Sequence, residues 1–218
     1  MLKINIQLFG GRGSSSGGFG GGGGGLTSAD ILATTSFVSE RGNYKDTVDE
    51  ALGVFSDVKD KYGFIINDIE MATIKDGKSA IAYYDGSNIG WNEKFMNKQT
   101  LENSYAECVK QGFHPSKGNK TAVQAVASHE LGHALSAEVG RKMGGKGIDQ
   151  ASAQILKEAK KQTGHKKSID VAKKISGYAT HSPAETIAEA FSDVYCNGKK
   201  AHKESIAIVN VMDKYLLN

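Results

Sequence analysis

Ser128-His129-Glu130-Leu131-Gly132-His133-Ala134-Leu135 is the stretch on which the reading of this chain turns. It has the form H-E-x-x-H and lies in a segment, Thr121–Val139, whose spacing predicts a helix ended by Gly140. Residues four apart sit one turn apart on the same helix face, so His129 and His133 offer two imidazole nitrogens to one metal ion. Glu130 follows about 100° round the helix. That puts its carboxylate near the metal without making it a ligand, placed to take a proton from activated water and pass it to a leaving amine. Leu131 and Leu135 fall roughly opposite the histidines and are expected to anchor the helix in the core. The competing reading is a pair of helix-surface histidines flanking a carboxylate, so the search for a third ligand decides between them.

A catalytic zinc takes three protein ligands and keeps one position open. Sites of the extended form H-E-x-x-H-x-x-G-x-x-H take a third histidine soon after the second. Here Ser136 and Val139 stand where that glycine and histidine would be, which excludes the class. The other common solution draws a glutamate from a separate helix. Pro183–Cys196 predicts such a helix, with Ser182 as N-cap, Pro183 in the first turn and Asn197-Gly198 closing it. Glu185, Glu189 and Asp193 are spaced by four and share one face, while Ile187, Ala190, Phe191 and Val194 lie opposite as core. Spacing alone leaves open which acid reaches the metal, and equally leaves open a solvent-facing acidic stripe.

Around this helix the residues Tyr178-Ala179-Thr180-His181-Ser182-Pro183-Ala184-Glu185-Thr186-Ile187-Ala188-Glu189-Ala190-Phe191 carry a resemblance. With His-Glu-Leu-Gly-His, a tyrosine, a glutamate seven residues later and Ala-Glu-Ala-Phe, the region over Thr121–Phe191 resembles the C-terminal catalytic domain of anthrax lethal factor and related zinc peptidases. The resemblance implies one Zn2+ per chain held by His129, His133 and Glu185. It implies Glu130 as general base and then acid, and Tyr178 as the hydroxyl that stabilises the tetrahedral intermediate. Glu189 is implied as an acid behind the metal that orients a histidine. Asp193 competes with Glu189 for that last role, and the sequence does not separate them. Where the family carries an aromatic pair after the ligand glutamate, this chain has Thr186-Ile187.

Upstream, Lys3-Ile4-Asn5-Ile6-Gln7-Leu8-Phe9-Gly10-Gly11-Arg12-Gly13 resembles the start of head-associated or minor structural proteins of bacteriophages that infect Gram-positive hosts. Met1–Phe9 alternates like a short strand, and Gly10–Gly25 is nearly all glycine and serine. Residues 1–25 therefore read as a flexible tail that cannot bury enough surface to offset its chain entropy. The glycine run lacks the strand, spaced glycines and helix of a phosphate-binding loop.

Residues 26–218 read as the zinc peptidase domain, with helices and a small sheet over 26–118 and the helical zinc-site part over 119–218. A short helix is expected from Thr27 or Ser28 to about Val38, and another over Thr47–Tyr62, where Val48, Ala51, Leu52, Phe55 and Val58 recur at helical spacing. Phe64–Ile74 is β-like. Ala80–Tyr84 and Asn88–Phe95 read as strands joined by the turn Asp85-Gly86-Ser87. Ile89–Asn92 is the candidate strand for pairing with an extended substrate. A loop at Gly144–Gly147, a helix over Ile148–Gln162 ending at Gly164, and an amphipathic helix over Ser205–Leu217 complete the chain. The fold class is α+β and zincin-like, mostly helical with a small antiparallel sheet, preceded by a disordered glycine-rich tail.

Composition constrains the rest. The 218 residues suffice for one sizeable core plus a tail. A net charge of +3 is only mildly basic, and the lysine pairs at 160–161, 166–167 and 173–174 read as a solvated face, so nucleic acid is not an expected partner. Cys108 and Cys196 form no C-x-x-C pair, which fits a reducing compartment. No run approaches a membrane span and no secretory signal is read, so the expected location is the bacterial cytoplasm or the virion. The expected partners are a peptide or protein substrate and, through the tail, a phage capsid or head component. Two rivals stand beside the peptidase: a phage structural or interaction protein with a degenerate site, and a basic DNA-packaging accessory. An intact base and an intact tyrosine favour the enzyme.

Overall fold

The computed structural model describes residues 41–63, 70–74, 81–84 and 88–218. The tail, the helix expected before Val38, the turn at Asp85–Ser87 and the first half of the Phe64–Ile74 segment lie outside the described residues. The elements run α1 (Arg41–Tyr62), β1 (Glu70–Ile74), β2 (Ala82–Tyr84), β3 (Asn88–Asn92), α2 (Lys98–Lys110), α3 (Ala122–Lys142), α4 (Ile148–Thr163), α5 (Ser168–Ile175), α6 (Pro183–Asn197) and α7 (Lys203–Leu216).

Everything is arranged about α3. Its residues from Ala122 to Ser136 are buried with the exception of Gln124, so it is a helix wrapped on all sides rather than one with a wet face. Small residues at 122, 125, 127, 132 and 134 keep it slender enough for that. Its start is fixed by a reciprocal pair: Gln124 N–H donates to Thr121 Oγ1 at 3.2 Å, and Thr121 N–H donates to Gln124 Oε1 at 3.1 Å. Neighbouring helices add to this cap. Thr121 Oγ1 donates to Glu50 of α1, and Ala122 N–H donates to Glu102 of α2, each at 2.7 Å.

The end of α3 differs from expectation. Gly140 lies inside the helix, which continues to Lys142. The chain then reverses through Gly144 and Gly145, at φ 87° and 81°, conformations that favour glycine. Lys146 N–H returns to donate to the Gly140 carbonyl at 2.9 Å, and a Cβ on Gly140 would sit 2.2 Å from the Lys146 carbonyl oxygen. Gly140 is therefore a close-approach residue and not a stop.

The strands form a three-stranded sheet in the order β1-β3-β2. The expected antiparallel pair is β2 with β3, while β1 joins β3 in parallel, so the sheet is mixed. Because β3 lies in the middle, Ile89–Asn92 is paired on both sides and has no edge to offer a substrate. A single 3-10 turn, Glu93–Phe95, replaces the end of the expected strand. β2 packs against α3.

Two helices, α2 and α5, were not expected from periodicity; α2 buries only Leu101, Tyr105 and Cys108 on a polar background. α4 ends at Gly164, and α6 begins as expected, with Glu185 N–H donating to Ser182 Oγ at 3.1 Å and Pro183 in the first turn. One apolar core runs from α1 to α7, including Leu131, Leu135, Ile187 and Ile208, each 0 % exposed. No helix among the described residues is long and apolar enough to cross a membrane.

Candidate metal centre

Among the described residues the most extensive helix–helix contact is between α3 and α6. Gly132 makes it possible: a Cβ there would lie 2.8 Å from the Ala188 Cα and 3.2 Å from the Phe191 Cβ. Histidines either side of Gly132 on α3 thus face glutamates either side of Ala188 on α6. The two imidazoles stand edge to face with centroids 5.0 Å apart, and both are buried.

Glu185 Oε2 lies 3.1 Å from His129 Nε2 and 3.4 Å from His133 Nε2. Ligands about 2.0–2.1 Å from a tetrahedral metal are separated by roughly 3.3–3.4 Å, so these spacings fit one shared ion. His129, His133 and Glu185 are the one group of three such donors, within 4.8 Å of one another, among the described residues. This buried group can hold a metal ion. Burial alone would push the Glu185 carboxyl up, but His133 and His129 outweigh it and hold it well below the usual carboxylate range. Burial likewise pulls His129 down, yet its hydrogen bonds to Glu185 and Glu189 leave it raised to about 10.

Glu189 stands one turn further along α6 and meets the other nitrogen of His129, with Oε1 2.8 Å from Nδ1. A carboxylate only accepts, so Nδ1–H is the donor and Nε2 is the nitrogen turned toward Glu185. Burial opposes ionisation of Glu189, but His114 and His129 lower it to about 2. Asp193 does not share this role. Two turns beyond Glu185, roughly 12 Å along the axis, its Oδ2 accepts from His202 N–H at 2.9 Å and lies 2.8 Å from His202 Nδ1. Its other oxygen accepts from Asn197. It fastens the corner between α6 and α7.

No protein match accompanies this geometry. The chain matches no protein-family model, no curated protein and no solved structure. What the centre can do is therefore read from its own atoms.

Glu130 is 0 % exposed, and neither carboxylate oxygen has a hydrogen-bond partner among the described residues. Burial raises its pKa to about 7, against the opposing pull of His129 and His133. Tyr178 sits in a 3-10 turn, Tyr178–Thr180, its ring 5.9 Å from that of His129 and its hydroxyl hydrogen-bonded to Glu185. Burial, followed by the charges of Glu185, Glu130 and Glu189, pushes its ionisation far above the usual phenol range, so it stays a neutral O–H donor. Thr186 uses its hydroxyl to tie α6 to this turn, donating to the Ala179 carbonyl at 2.7 Å.

The sequence reading missed two contributors. His114 and Ser176 both bond Glu189, at 3.0 and 2.6 Å. Neither lies at a spacing that links it to the motif. His181 reaches the mouth of the turn, its Nδ1–H donating to the Tyr178 carbonyl at 3.0 Å. Cys196 is half-buried and Cys108 buried, both free thiols that take no part in the centre.

Proposed function

We propose that this chain is a zinc-dependent endopeptidase of zincin-like build, encoded by a phage or prophage, acting on a peptide or protein. The observation that carries the proposal is Glu130: a carboxyl wholly enclosed, with no hydrogen-bond donor among the described residues, beside two histidines and a second acid. Burying such a group unpartnered costs on the order of 1–3 kcal/mol, which a structural role does not repay. A proton-transfer role does, and a pKa near 7 suits a base that must also act as an acid at neutral pH.

Two imidazoles and one carboxylate are the donor set of catalytic zinc sites, whereas structural sites are closed and cysteine-rich. Zinc, when bound by His129, His133 and Glu185, supplies a Lewis acid that polarises the scissile carbonyl and makes water acidic. Glu130 then accepts the proton from water as it attacks and delivers it to the departing amine. Tyr178, a neutral donor, stabilises the oxyanion through its hydroxyl. Glu189 keeps the His129 ring in place. The phage origin rests on the Lys3–Gly13 resemblance, on which the described residues do not bear.

The test is metal analysis of the purified chain together with digestion of a peptide library, with and without a chelator. About one zinc per chain and chelator-sensitive cleavage are expected. Absence of both metal uptake and cleavage would remove the peptidase and favour an interaction protein with a degenerate site.

A further inference from the structure

We propose that His114 is a positioning residue of this centre, holding Glu189 so that the His129 ring keeps its Nε2 turned toward the metal. This rests on the metal-centre reading above. Glu189 is a flexible side chain, and one bond to His129 leaves its carboxylate free to rotate. His114 Nδ1 removes that freedom by lying 3.0 Å from Oε1 and 3.1 Å from Oε2, straddling the two oxygens. Ser176 Oγ donates to Oε2 at 2.6 Å and itself accepts from Ala179 N–H at 3.0 Å. Since the carboxylate only accepts, each of these partners donates. The plane of the carboxylate, and with it the direction of the His129 Nδ1–H bond, is thereby fixed.

The His114 ring is itself held rigidly. It stacks on Tyr105 of α2 with centroids 5.4 Å apart and planes 11° apart, and it meets Phe113 and Tyr178 edge-on at 5.2 and 5.4 Å. Its loop is pinned at both sides. Phe113 N–H donates to the Cys108 carbonyl at 2.8 Å, while the carbonyls of Gly112 and Phe113 accept from Gly177 and Tyr178 N–H at 2.8 and 3.0 Å. One loop therefore sets the orientation of a ligand histidine through His114 and the backbone position of Tyr178. Outer partners of metal-bound histidines typically contribute 10–100-fold to metal affinity.

A packing role for His114 needs a flat ring; a positioning role needs the Nδ1–H donor. The two are separated by H114F, which keeps the ring and loses the donor, and H114N, which keeps a donor near the Nδ1 position and loses the ring. Zinc affinity of the full chain is measured by chelator competition, and the cobalt-substituted protein gives the ligand-field spectrum. H114F is expected to lose roughly 10-fold or more in affinity and to shift the cobalt bands, with H114N restoring both toward wild type. H114F binding zinc as tightly as wild type with an unchanged spectrum, or H114N being the weaker of the two, overturns the proposal. Were H114F recovered unfolded, H114N carries the test: near-wild-type affinity supports the donor role and a tenfold loss overturns it. Failure of the wild-type chain to take up zinc is a different result, since it removes the metal-centre reading itself.

Discussion

At the scale of single residues, the site separates acids by what they touch. Glu130 touches no donor among the described residues, so Glu130→Gln removes only a proton acceptor: the variant is expected to keep its zinc and lose about 10²–10⁴-fold in turnover. Cleavage within a few-fold of wild type, scored on the same peptide library, would place the base elsewhere. Glu185 and Glu189 differ in the same way. Glu185→Ala leaves two histidines and is expected to abolish stoichiometric zinc binding, whereas Glu189→Ala should weaken it by roughly 10–100-fold and leave turnover at saturating metal. Zinc titration against a competing chelator ranks them, and the opposite order would shift the ligand one turn along α6. The metal-free chain adds a pH signature. Glu130 ionises near 4.5 when unfolded and at about 7 when folded, so the folded state holds the extra proton across that window. Stability is then fully present below about pH 4.5 and lost as pH rises toward 7, by about 3 kcal/mol. Glu185 and Glu189, whose pKa values are depressed, change stability below that window, and His129, raised to about 10, changes it only as pH climbs past about 6.5, so between about pH 4.5 and 6 the slope should vanish in metal-free Glu130→Gln; its survival there in a denaturant titration would assign it to another group.

At the scale of elements, the centre is a contact between two helices, and Gly132 sets their distance. Gly132→Ala places a methyl 2.8 Å from backbone of α6, which cannot turn aside as a side chain would. The variant is expected to lose about 1–3 kcal/mol of stability and to bind zinc more weakly, measured by thermal melts and chelator competition on the same sample; unchanged affinity would mean that α6 tolerates retreat. Elements also mark the boundary of what the sequence reveals. His129, Glu130 and His133 are legible because their relation is internal to one helix and follows from its pitch. Glu185 and Glu189 are legible as a pair, but periodicity gives both the same face, and only the α3–α6 packing sends one to Nε2 and the other to Nδ1. His114 leaves no trace in the sequence, since a lone loop histidine belongs to no period. The same holds for sheet order: each strand announces itself by composition, yet nothing local tells Ile89–Asn92 that β1 will join on its second side. Gly140 misleads for a related reason, because a glycine demanded by a neighbouring carbonyl looks like one that ends a helix.

At the scale of the whole molecule, α3 is the axis, and the metal would join it to α6 across the core. Ligand binding adds to folding free energy by mass action, so zinc at 100 times its dissociation constant should stabilise the chain by about 2.7 kcal/mol. For a chain of this size that is a rise of roughly 5–10 °C in melting temperature, read by calorimetry before and after chelation; no shift would show that the ion is not held by the native fold. The α3–α6 contact has a further consequence, in time rather than in space. His129 and Glu185 are 56 residues apart in sequence, and α4 and α5 are threaded between them. During synthesis the histidines emerge first, and the carboxylate that completes the set emerges only with α6. A ribosome-stalled chain ending after α4 is therefore expected to be proteolytically silent and poor at retaining zinc, and one extended past α7 to gain both together. The proposed peptidase activity would then be withheld from the nascent chain, and from its neighbours on the polysome, until α6 has emerged.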